Sequence, residues 1–87
     1  MNVYSISYDL RQPNRDYTSL YEEIKKIGDY FHPLESNWFV RTNWDAQDIY
    51  DKLRPYIDDN DLILIIRVDQ SDKQGWMVKN FWEWLRK

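Results

Sequence analysis

Residues 62–68 read LILIIRV, the most apolar stretch of this 87-residue sequence. Side chains alternate between the two sides of a β-strand, so Leu62, Leu64 and Ile66 would face one way and the isoleucines between them the other. Both sets are apolar. A continuous apolar run of this kind is typical of a strand that is covered on both faces. The stretch therefore predicts a β-sheet with a layer of structure on each side.

The chain begins with another strand pattern. Residues 3–8, VYSISY, alternate between two sets of side chains, as a strand does. The turn that follows contains proline and asparagine, and Asp16 is then expected to open an α-helix that ends at Gly28. The apolar stripe of this helix would consist of Tyr17, Leu20, Tyr21, Ile24 and Ile27.

The middle of the chain predicts two strands and a second helix. Residues 30–42, YFHPLESNWFVRT, place strand-forming residues around a turn at 35–37. Pro33 marks the first of these strands as an edge strand, because proline has no backbone N–H to donate to a neighbour. Asp45 should cap the second helix, and Pro55 should end or kink it. The buried stripe of that helix would be Ala46, Ile49, Leu53 and Ile57.

The last residues predict a terminal helix. After a polar turn at 58–61 and the apolar stretch, residues 76–87 place Val78, Phe81, Trp82 and Leu85 at helical spacing. The complete order is βαββαβ plus an appendage. This is the ferredoxin-like α+β plan, an antiparallel sheet with two helices on one face. We expect one domain over residues 1–87, with a core at 1–69 and an appendage at 70–87. Either the terminal helix or a second copy of the chain should cover the other sheet face.

Composition limits the class of protein. The chain contains no cysteine, which removes disulfides, thiolate zinc sites and a cysteine nucleophile. Its net charge of −3 argues against tight, non-specific binding of nucleic acid. No signal sequence precedes the first strand, and no apolar run approaches the ~18 residues of a membrane span. We therefore expect a cytoplasmic protein that does not enter a membrane.

Several stretches, taken in order, carry a resemblance to a known family. The chain resembles the SinR-like proteins, distant relatives of the small dimeric CRISPR-associated nuclease that serves as adaptor in spacer integration. The likeness covers most of the chain. It departs from the nuclease family at 32–42 and in the tryptophan-rich tail, and no helix-turn-helix signature supports a transcription regulator. The stretches that carry it are ISYDL (6–10), DYTSLYEEIKKIG (16–28), HPLESNWFV (32–40), IYDKL (49–53) and GW…FWEWL (75–85).

The resemblance implies a role for Asp9, which ends the first predicted strand. In the nuclease family the aspartate at this place meets its dimer mate and is proposed to hold a divalent metal for phosphodiester hydrolysis. Asp9 would then be both metal ligand and catalytic residue, with Mg²⁺ or Mn²⁺ bound across the dimer. From the residues alone, the alternative is an aspartate that caps its own turn, with no cofactor.

The arginines also have two interpretations. Arg11 and Arg15 follow Asp9 and could hold phosphates or simply neutralise the nearby carboxylates. Arg41 and Arg67 lie in predicted strands and could add to a nucleic-acid-binding stripe or form salt bridges across a dimer. His32 is the only histidine, and because no nucleophile is predicted beside it, we expect a structural role.

Together these observations favour a homodimeric binding module without catalytic activity, acting in defence or mobile-element biology on nucleic acid or a protein partner. One alternative is an active, metal-dependent endonuclease that uses Asp9 of both subunits. The other is a purely protein-binding regulator or inhibitor. The residues expected at an interface are Ile63, Ile65, Trp76, Phe81, Trp82 and Trp84.

Overall fold

The computed structural model describes all residues, 1–87, as four strands and three α-helices. The strands are β1 (Asn2–Asp9), β2 (Asp29–Leu34), β3 (Asn37–Thr42) and β4 (Leu62–Arg67). The helices are α1 (Thr18–Lys25), α2 (Ala46–Leu53) and α3 (Lys79–Arg86), and a short 3-10 turn, Arg54–Tyr56, follows α2.

The sheet has the order β2-β3-β1-β4, and every neighbouring pair is antiparallel. This order and the alternation of strands and helices confirm the predicted ferredoxin-like α+β fold. β1 lies in the interior of the sheet: Tyr4 pairs with Val40 of β3 on one side and with Arg67 of β4 on the other. β2 is an edge strand, as Pro33 predicted.

The main core lies between the sheet and the first two helices. Leu20 and Ile24 of α1 and Ile49 and Leu53 of α2 are completely buried against the sheet, so both predicted stripes are confirmed. Asp45 caps α2 in a capping box with Asp48. α1 begins at Thr18, slightly later than expected.

The third helix packs on the opposite face of the sheet. Phe81, Trp84 and Leu85 of α3 form a second buried cluster with Val3, and Phe31 of β2 and Phe39 of β3 pack against it. An eight-residue helix is only about 12 Å long. It therefore covers the β2–β3 side of this face and leaves the β4 side open.

The open side of this face carries the apolar residues of β4. Leu62, Leu64 and Ile66, which we call the β4 flank, are 53%, 58% and 54% exposed. β4 is the last strand of the sheet and pairs only with β1. The expectation that this stretch is covered on both faces is therefore not met within one chain. The odd-numbered Ile63 and Ile65 do pack against the main core.

Candidate functional site

Asp9 lies where the sequence placed it, at the end of an interior strand. Its side chain is 61% exposed, and its Oδ2 accepts hydrogen bonds from Arg11 Nε at 3.1 Å and from Arg11 Nη2 at 3.0 Å. Arg11 thus neutralises Asp9, one of the two roles that the sequence left open. No group of three or more His, Cys, Asp or Glu side chains lies close enough to hold a metal ion. The metal-ligand and catalytic roles of Asp9 stay predictions.

The loop after Asp9 is anchored by a buried carboxylate that the sequence did not identify. Asp61 is 7% exposed and accepts hydrogen bonds from the backbone N–H of Arg11 at 2.7 Å and of Asp58 at 2.8 Å. The Tyr17 hydroxyl lies 2.8 and 2.7 Å from its two carboxylate oxygens. The interaction joins the loop between β1 and α1 to the turn that precedes β4. In the sequence, Asp61 is only one of several polar residues in that turn.

The pKa of Asp61 is set by opposing effects. Burial alone would raise the pKa of this carboxyl group, but the backbone N–H groups of Arg11 and Asp58 and the Tyr17 hydroxyl stabilise its charged form. The net result is a pKa below the ordinary aspartate value. Asp61 therefore remains ionised in the folded protein and holds the loop in place.

Arg15 and Arg41 make contacts within the chain. Arg15 Nη1 lies 3.7 Å from Asp58 Oδ2, and its guanidinium carbon lies 5.4 Å from the centre of the Tyr17 ring. Arg41, whose side chain is 14% exposed, donates from Nη2 to the carbonyl oxygens of Trp84 and Leu85 at 3.0 and 3.3 Å. The Trp84 carbonyl also accepts from the Lys87 backbone N–H, whereas the Leu85 carbonyl at the end of α3 has no backbone donor within the helix. Arg41 therefore holds α3 on the sheet.

Arg67 differs from the other three arginines. It is the last residue of β4, it is exposed, and its side chain forms no hydrogen bond or ion pair, although its charge helps to lower the pKa of Asp69. The four arginines do not form one continuous stripe, because Arg11 and Arg15 lie in the loop after β1 while Arg41 lies beneath α3. Their predicted role in nucleic-acid binding stays a prediction.

The residues predicted at an interface fall into three groups. Ile63 and Ile65 are half-buried against the main core, while Phe81 and Trp84 are buried in the second cluster, with Trp82 packed beside them. Trp76 is 101% exposed, so it has no packing partner in its own chain. The interface assignment itself stays a prediction for all six residues.

His32 has structural contacts, in line with its expected role. Its ring stacks on Trp38, with centroids 3.9 Å apart and planes 10° from parallel, and its Nε2 lies 3.2 Å from the Glu35 carbonyl oxygen.

None of the helices is both long and apolar enough to span a membrane. No family model matches the sequence, and comparisons with curated proteins and with solved structures find no match either.

Proposed function

We propose that the chain is a protein-binding module that works as a homodimer, joined along the free edge of β4. The observation that carries this proposal is the β4 flank, three apolar side chains that are each more than half exposed on an unpaired edge strand. Contiguous apolar patches and long free strand edges are normally covered, because both invite association. A second copy of the chain offers the same edge and the same patch.

Edge pairing suits this surface better than packing two sheet faces together. The neighbouring strand, β1, contributes Ser5 and Ser7 to the open face, and Asn37 Nδ2 donates to both hydroxyl groups at 2.8 Å. The open face is therefore polar beside the β4 flank, and its apolar residues lie at the margin. A lateral contact joins two apolar margins and leaves the polar strip in water.

The hydrogen-bonding pattern limits the registers that are open to the proposed pair. The Val68 backbone N–H donates to the Val3 carbonyl oxygen at 2.8 Å, which sets the alternation along β4. The backbone groups of Ile63, Ile65 and Arg67 then point away from β1. A two-fold axis at Leu64 lets Ile63 of each copy exchange hydrogen bonds with Ile65 of the other. The β4 flanks of the two copies then lie on the same face of the joined sheet, because side chains alternate between the two faces of each strand.

The charges at the two ends of β4 complement each other in this register. The turn before β4 carries the carboxylates of Asp58, Asp59 and Asp61. Asp58 and Asp59 pair with Arg15 and Arg54 of the same chain, so the turn keeps a net negative charge through Asp61. Arg67 ends the strand and forms no ion pair of its own. Antiparallel pairing about Leu64 brings each Arg67 opposite the acidic turn of the other copy. This arrangement favours the antiparallel register over a shifted one.

Three features favour a protein over a nucleic acid as the partner. Arg11, Arg15 and Arg41 are engaged within the chain, and the net charge is −3. Trp76 is completely exposed, and tryptophan is enriched among the residues that dominate protein–protein interfaces. A role in defence or mobile-element biology remains a prediction from the resemblance alone.

The proposed dimer and a metal-dependent nuclease require different distances between the two Asp9 residues. Asp9 pairs with Leu62 in the sheet. With the axis at Leu64, the two Asp9 residues would be separated by three strand spacings and by four residues along the strand, about 20 Å in all. Carboxylates that far apart cannot bind one metal ion. A shared Asp9 site therefore requires a different dimer.

Two measurements test the proposal. Light scattering at micromolar concentration should give roughly twice the chain mass of 10.8 kDa, and a monomer at all accessible concentrations would refute the dimer. Mobility-shift assays with DNA and RNA should show no binding that weakens steeply with salt. Strong salt-dependent binding would refute the preference for a protein partner.

A further inference from the structure

A cleft opens at the end of β1, between α1 and the turn that joins β2 to β3. Its volume is about 460 Å³, within the usual range for small-ligand sites. The aromatic side chains of Tyr8, Tyr21 and His32 line it, together with Asp9 and Glu35. It is distinct from the β4 flank, which lies on the opposite face of the sheet.

The aromatic wall of the cleft is held rigidly by Trp38, which is 3% exposed. The His32 ring stacks on Trp38 at 3.9 Å, and the Tyr21 ring lies 6.1 Å from it at an angle of 22°. Trp38 Nε1 donates to the Tyr8 hydroxyl at 3.0 Å, and that hydroxyl donates to the Glu35 carbonyl oxygen at 3.1 Å. The rings are thus fixed before any ligand arrives, which lowers the cost of binding.

The charges around the cleft are negative and partly unpaired. No lysine or arginine lines it. Arg11 contacts Asp9 only through Oδ2, and Glu35 forms hydrogen bonds only through its backbone carbonyl, so its exposed carboxylate has no partner in the chain. Phosphates and carboxylates would be repelled here. A cation in the cleft would meet aromatic side chains and a free carboxylate.

We propose that this cleft binds the guanidinium group of an arginine side chain. A planar guanidinium can stack on an aromatic ring while it donates two parallel hydrogen bonds to one carboxylate, which an ammonium group cannot do. Glu35 would supply that carboxylate, and Tyr21 the ring. The inference rests on the proposed function only in taking this arginine to belong to a partner protein. The segment of the partner that contacts this cleft would then carry an arginine.

The chain provides its own reporter for this site, because His32 is its only histidine. Its ring resonances and the indole N–H of Trp38 can be followed by NMR while Nα-acetyl-arginine amide is added to the full chain. We expect saturable shifts with a Kd on the order of 1–10 mM, as suits one side chain. The neutral analogue Nα-acetyl-citrulline amide should give no saturable shift, and Nα-acetyl-lysine amide should bind more weakly than the arginine probe.

Matched variants separate the cleft from general electrostatics. Glu35→Gln keeps the backbone carbonyl that holds Tyr8, and should weaken the arginine probe at least about fivefold. Glu83→Gln removes the same charge from α3, away from the cleft, and should leave binding unchanged. Equal binding of the citrulline analogue, or equal weakening by the two variants, would overturn the inference. The titration does not depend on dimerisation, so a failure here is distinguishable from a failure of the proposed function.

Discussion

Replacing Leu64 by lysine should dissociate the proposed dimer without unfolding the chain. Leu64 is 58% exposed in the monomer, so pairing can bury about half of a side chain whose full burial is worth about 2 kcal/mol. Two copies lose about 2 kcal/mol in the variant, and two opposed lysine charges about 5 Å apart add about 1 kcal/mol of repulsion. The sum of about 3 kcal/mol corresponds to a dimer dissociation constant raised roughly 100-fold.

Sedimentation over a range of concentrations measures this constant, and a thermal melt checks that the variant folds. Leu34→Lys is the matched control, because Leu34 is 53% exposed and lies in β2, on the opposite edge of the sheet. It should leave the dissociation constant unchanged. If both variants weaken the dimer equally, or if Leu64→Lys has no effect, β4 is not the interface.

Three further predictions concern the fold and Asp9. Asp61→Asn should cost about 2 kcal/mol in the free energy of unfolding at neutral pH, because the amide group presents a donor to a backbone N–H. The pKa of Asp61 is lower in the folded protein than in the unfolded chain. Its ionised carboxylate therefore stabilises the fold above the unfolded aspartate pKa, and this stabilisation is lost as the pH falls through the folded pKa. The stabilities of wild type and variant should consequently converge in acid denaturation curves. Phe81→Ala should cost about 3 kcal/mol in chemical denaturation, and the half-buried Trp82→Ala less, whereas equal stability to wild type would mean that α3 does not pack on the sheet. Neither wild type nor Asp9→Asn should cleave DNA or RNA with Mg²⁺ or Mn²⁺, and metal-dependent cleavage by wild type alone would establish Asp9 as a catalytic ligand.

The sequence predicted the architecture because local patterns and packing agree along most of the chain. The alternation at Tyr4, Ile6 and Tyr8 corresponds to a strand with one face on the main core. Asp45 is a short polar residue directly before an apolar helical stripe, and it caps that helix as expected. In such places the residue type and its position in the element lead to the same structure.

The sequence was less informative where the outcome depends on contacts between distant parts of the chain. An apolar run shows that residues avoid water but not which element covers them, so LILIIRV was expected to be covered although it forms an edge strand. From the sequence, Asp61 was interpreted as a turn residue, because Tyr17 and the Arg11 backbone, to which it bonds, are distant in sequence. Arg41 likewise gives no local sign that it lies against the end of α3. These pairings become visible only when the fold brings the residues together.

The pairing of two β4 strands about Leu64 can be measured most directly by cysteine cross-linking, since the chain has no cysteine of its own. In the proposed register Leu64 faces Leu64 of the other copy as a non-hydrogen-bonded pair, with Cα atoms about 4.5 Å apart, and a disulfide accepts about 4.4–6.8 Å. Leu64→Cys should therefore form a covalent dimer under mild oxidation. Leu62→Cys, on the same face and similarly exposed, would lie about 13 Å from its mate along the strand and should not. Efficient cross-linking at Leu62, or none at Leu64, would contradict the proposed dimer.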